Sequence, residues 1–169
     1  MEPAPVTKVE RSGCLVVLEY GAEWPSSVFR RTSERDCVLV VAQEPNETFA
    51  TFFGRLARRI ERAVRSGLSI RTVIVACSAR GNGESEERLL LLRGVVERVV
   101  RDQETRLLIV GDTSADSGAL LVMADTLLGH LRGEPVTVHV ISRAHPGHEP
   151  ESSLSVWCTR GASALPWSA

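Results

Sequence analysis

Apolar residues along this chain follow two rhythms. Short runs that are apolar at most positions recur at Gly13–Tyr20, Cys37–Ala42, Ile70–Cys77, Arg106–Val110 and Val136–Ile141. Their β-branched content predicts strands, and the runs without alternation suit strands covered on both faces. Between the last four, apolar residues return at helical spacing. Phe49, Phe52, Phe53, Leu56, Ile60, Ala63 and Val64 share one face of a helix with Asn46 as its expected N-cap and Gly67 as its stop. A second helix is expected from Glu84 to Asp102, with Glu84, Glu86 and Glu87 at its start and Arg98 and Arg101 at its end, as the helix dipole favours. A third carries Leu120, Ala124, Leu127, Leu128 and Leu131 on one stripe and ends at Gly133. Ser26–Arg31, after a turn-like stretch, is expected to be a short strand.

From residue 37 onward the order is strand, helix, strand, helix, strand, helix, strand. Such alternation gives a parallel sheet with right-handed helical crossovers. The expected fold is α/β: a three-layer sandwich with a mostly parallel central sheet and helices on both faces. An extra N-terminal β element and a C-terminal edge strand at Leu154–Cys158 complete it. The whole of 1–169 reads as one domain, with a core at 37–143 and with 1–36 and 144–169 as additions.

Composition narrows the function classes. Hydrophobic residues make up 43% and charged residues 24% of 169, and the net charge is -1. That excludes a disordered chain and a strongly basic nucleic-acid binder. No apolar run is long enough to span a bilayer, and residues 1–12 lack the start of a signal peptide. The expectation is a cytoplasmic protein with neither membrane nor nucleic acid as partner. Of 20 basic residues only Lys8 is lysine, a bias expected of a GC-rich bacterial genome. Cys14, Cys37, Cys77 and Cys158 are far apart, so buried free thiols are expected rather than a metal or redox site.

The stretch Arg106 to Arg143 combines a strand ending in Val110-Gly111, a small-residue loop, a Leu-rich helix ending Gly129-His130-Leu131-Arg132, and a strand led by Pro135. In this it resembles the universal stress protein family and, more loosely, other Rossmann-like nucleotide binders. The resemblance implies ATP or AMP binding through a Gly-x-x-Gly-x9-Gly-Ser/Thr run after this strand. Here Gly111 is present, but the next glycine is Gly118, and Gly129 is followed by His130. The nucleotide-binding spacing is not met. The family's acidic residue at the end of its first strand falls near Gln43-Glu44, where Glu44 is its only stand-in.

In open α/β sheets ligands bind beyond the carboxyl ends of the strands. Candidate binding residues there are Gln43, Glu44 and Asn46; Ser78, Arg80, Gly81, Asn82 and Gly83; and Asp112, Thr113 and Ser114, with Ser142 and Arg143 at the last strand. Arg80 beside three residues containing two glycines is the most phosphate-like feature. The same residue types also cap helices and make turns, as Asp112, Thr113 and Ser114 would. Asp112 with Asp116 is a candidate metal pair. His145, His148 and Glu149 form a second cluster, but without the ligand set of a structural zinc site. No cofactor or metal is expected. No Gly-x-Ser-x-Gly elbow is present. The arginines at 55, 58, 59, 62 and 65 are expected to form a solvated, salt-bridged helix face. Leu89, Leu91, Leu92, Val95, Val96, Val99 and Val100 cover more of the second helix than one sheet contact needs, and Leu90 lies outside even that face. This predicts a homodimer through helix 84–102. Two functions fit: a non-catalytic binding or regulatory protein for a small anionic ligand, with a degraded nucleotide site, or a small enzyme acting on a phosphorylated or nucleotide-like ligand at the strand ends.

Overall fold

The computed structural model describes residues 11–33, 37–78, 85–100, 104–111, 117–143, 154–160 and 163–167. In chain order the elements are β1 (Arg11–Leu18), α1 (Ser26–Ser33), β2 (Cys37–Ala42), α2 (Phe49–Arg65), β3 (Leu68–Cys77) and α3 (Ser85–Val99). They continue with β4 (Thr105–Gly111), α4 (Ser117–His130), β5 (Val136–Arg143), β6 (Leu154–Arg160) and β7 (Ser163–Trp167). The sheet order is β2-β1-β3-β4-β5-β6-β7. The first five strands are mutually parallel, and β6 and β7 are added antiparallel. The fold is thus the expected α/β sandwich, with its parallel strands in the flavodoxin-like order.

Right-handed crossovers decide where the helices lie. The chain moves in one direction across the sheet from β2 through β3 and β4 to β5, so α2, α3 and α4 share one face. The step from β1 to β2 runs the other way and sends α1 to the opposite face. The core divides accordingly. Leu15, Val17, Val73, Val75, Leu107, Ile109, Val138 and Val140 pack with α2, α3 and α4. The alternate positions Cys14, Val16, Ile74, Leu108, Val110 and Ile141 pack with Val28 and Phe29 of α1.

Several expectations are corrected. Residues 26–33 are a helix, not a strand. Because β1 and β2 are adjacent and parallel, they need a crossover on one face, which a hairpin strand cannot provide. The strand at residues 11–18 is no addition at the margin: it lies between β2 and β3 in the sheet interior. Asn46 does not cap α2. It takes φ 61°, a left-handed conformation that asparagine tolerates in turns, and Thr48 caps instead, its side chain accepting from Thr51 N. Gly67 (φ 96°) does stop that helix. Helix α3 ends at Val99 rather than Asp102. The C-terminal strand β6 is not at the edge, because β7 lies outside it. Cys14 and Cys77 are buried but Cys37 is exposed. No helix among the described residues is long and apolar enough to cross a membrane.

The broad apolar face of α3 finds its cover within the chain. Leu91, Leu92, Val95, Val96, Val99 and Val100 are all buried in the cluster shared with α2 and α4, which flank α3 on the same side of the sheet. Leu90 is left 66% exposed.

Candidate functional site

The direction of the crossovers reverses between β1 and β3, which makes the region beyond their carboxyl ends the topological switch point of the sheet. This is where ligands of such folds bind. The end of β1 is fixed from both sides. Gln43 N donates to Leu18 O (2.8 Å), and Glu19 N donates to Ala76 O (3.0 Å). Tyr20 N then donates to the side-chain oxygen of Gln43 (3.1 Å), whose amide nitrogen donates to Glu47 O (2.9 Å). Gly21, at φ 80°, lets the chain turn back, with Ala22 N bonded to Glu19 O (3.0 Å).

Glu19 stands at this switch point, at the carboxyl end of β1. It is 5% exposed. Its carboxylate accepts from Ser78 N (3.0 Å) at the end of β3, and from Nε (2.5 Å) and Nη2 (2.6 Å) of Arg88 in α3. Arg88 Nη2 also donates to Ser78 O (3.2 Å). One bidentate pair therefore ties the ends of β1 and β3 to the start of α3. Planar guanidinium and carboxylate match in this fork geometry, which makes the pairing directional as well as strong.

Beside it lies a second cluster. Glu47 accepts from Arg55 Nε (3.1 Å) and Nη2 (2.7 Å) and from Glu44 N (3.0 Å). The Arg55 bonds hold the Glu47 carboxyl below its ordinary range, and the pairing raises Arg55 in turn. Arg55 Nη2 also donates to Ala42 O (2.5 Å). This cluster closes the 43–48 turn.

Among the residues expected to bind, Gln43 and Ser78 flank the end of β1, one on each side. The Gln43 side chain and the Ser78 backbone hold the strand ends together. Glu44 and Asn46 are exposed on the turn beyond β2. Arg80, Gly81, Asn82, Gly83, Asp112, Thr113 and Ser114 lie outside the described residues, as do Asp116, His145, His148 and Glu149. Ser142 and Arg143 belong to β5, which runs beside β4. No group of three or more potential metal ligands is found among the described residues.

Two central residues, Glu19 and Arg88, escaped the sequence reading. The signal for Arg88 was present. It stands in the opening turns of a helix, after Glu86 and Glu87, where the dipole disfavours a cation. An arginine placed against the dipole calls for a carboxylate from elsewhere. Glu19, the one charge closing the apolar run Cys14–Leu18, is that carboxylate.

Comparison with protein-family models and with curated proteins finds no match for this chain.

Proposed function

We propose that this chain is a non-catalytic α/β binding or regulatory protein of the cytosol, resembling a universal stress protein whose nucleotide site is degraded. Its ligand is a small anion held at the switch point beyond β1 and β3, between Tyr20 and the segment that follows Ser78. The observation that carries this reading is the state of Glu19. Among the described residues, the acid at the end of β1 accepts three hydrogen bonds from Ser78 and Arg88. A carboxylate so engaged serves as a brace for the strand ends, and we assign the anion to the Arg80 cation and the backbone amides of the Gly81-Asn82-Gly83 sequence. The missing glycine spacing after Gly111 argues against an intact triphosphate site.

Thermal shift with phosphate, AMP and ATP tests the proposal, since a ligand of the native state raises Tm by mass action. The expected result is stabilisation by a small phosphate-bearing anion, lost in Arg80→Ala, with no micromolar ATP site by calorimetry. A micromolar ATP site would overturn the degraded-site reading. Turnover of a phosphorylated substrate by the purified chain would establish the enzyme instead.

A further inference from the structure

We propose that two copies of this chain associate through β2, joining their sheets edge to edge as an antiparallel pair. Among the described residues, strand β2 is the outermost on its side of the sheet. Its sequence, Cys-Val-Leu-Val-Val-Ala, carries no charge and no proline. Exposed edges are ordinarily protected by such residues, because their unpaired N–H and C=O groups template pairing with another chain. Here that protection is missing among the strand's own residues.

The backbone phase shows which groups are open. Gln43 N bonds Leu18 O, so the odd-numbered residues of β2 turn their main chain towards β1. Val38, Val40 and Ala42 then direct N–H and C=O outward. The outward carbonyl of Ala42 is already taken by Arg55, which leaves the amides of Val38, Val40 and Ala42 and the carbonyls of Val38 and Val40. Val38 and Val40 are also the exposed large apolar residues of the strand, at 41% and 38%. They pair in register with Cys14 and Val16 and therefore share the α1 face of the sheet.

A second copy matches this pattern and fixes the register. Placing Val38 against Val40 of the second copy, and Val40 against its Val38, sets Leu39 on the two-fold axis. Both pairs are then the hydrogen-bonded kind, in which two residues exchange N–H and C=O. Their side chains meet on one face. The alternative register, Val40 on Val40, sets Val38 against Ala42, whose carbonyl Arg55 occupies. A closed two-fold interface needs a self-complementary patch, and an uncharged strand with two equivalent open valines is one. Self-association through α3 would rest on Leu90 and the partly buried Leu89, since Leu91, Leu92, Val95 and Val96 are buried within the chain.

Sedimentation and hydrogen exchange of the full chain test this. The expected result is a dimer whose Val38 and Val40 amides gain protection as protein concentration rises. Val38→Lys combined with Val40→Lys should give a monomer that still melts cooperatively, because both positions are exposed, with a Tm that no longer depends on protein concentration. A monomer at the highest soluble concentration overturns the proposal. So does a dimer that the lysines leave intact and Leu90→Glu disperses. Protection of Val38 and Val40 that does not vary with concentration would assign the edge to another part of the same chain and also overturn it. The exchange measurement on the unmodified chain decides the matter even if the lysine variant fails to fold.

Discussion

Glu19 and Arg88 show how a single residue pair ties strand ends together at a switch point. Both side chains are largely withdrawn from water, at 4% and 12% exposure. Removing one partner leaves the other charge buried and uncompensated, a loss of about 3–5 kcal/mol. Glu19→Leu and Arg88→Met are each expected to destabilise the chain on that scale. The double variant Glu19→Leu/Arg88→Met should lose much less than the two singles together. Urea denaturation of the four species measures the coupling, and simple additivity would show that the pair is not the brace described. A second residue ties stability to pH. His139, half-buried on β5, is held below its ordinary pKa by burial and by Arg106, with Glu104 opposing. The unfolded chain then binds the proton more readily than the folded one. Between the depressed folded value and the unfolded value near 6.5, stability rises with pH; it is fully present above that window and falls on acidification through it. His139→Gln should flatten Tm across that interval while leaving the alkaline side level. An unchanged slope would assign the acid sensitivity to other groups.

At the scale of elements, α3 separates what a hydrophobic pattern reveals from what it leaves open. Its position and the apolar character of its face were legible in the leucines and valines at 89–100. The reason for the excess width was not, because it lies in the placement of α2 and α4 on either side, which depends on strand order. Neighbouring residues should therefore respond oppositely. Leu90→Glu changes an exposed side chain and is expected to alter stability by less than about 0.5 kcal/mol. Leu91→Glu forces a charge into the buried cluster and should abolish the cooperative melt. Close approach of α2 and α3 adds a further constraint. A Cβ on Gly94 would lie 2.5 Å from the Phe53 ring, on whose face Arg98 also stacks at 4.9 Å. Gly94→Ala, although it improves helix propensity by about 1 kcal/mol, is expected to be net destabilising, since overpacking costs about 1–3 kcal/mol. Chemical denaturation reads the sign. A more stable variant would mean that Phe53 yields freely.

For the whole molecule, the alternation of elements was enough to give a parallel α/β sandwich, but not the place of β1 in it. A strand preceding a regular βαβ series looks the same in sequence whether it is inserted or appended, because parallel pairing leaves no local turn signal between neighbours. The candidate site divided along the same line. Gln43 and Ser78 were legible from strand ends alone, whereas Glu19 required knowing that β1 sits beside β3. Sheet order then makes the two termini unequal. A chain lacking residues 1–36 loses β1, which bonds both β2 and β3 and supplies Cys14, Leu15, Val16 and Val17, all fully buried. Strand β2 would have no neighbour, and both faces of the core would open. Of the described elements, a chain lacking residues 144–169 loses the antiparallel pair β6 and β7 and keeps five parallel strands and four helices, at the cost of baring the outer side of β5. The first truncation is expected to show no cooperative melt by far-UV circular dichroism. The second should keep one, with a lowered Tm and a greater tendency to associate through the new edge. A cooperative melt for residues 37–169 would show that the sheet closes without its second strand and would remove β1 from the centre of the fold's stability.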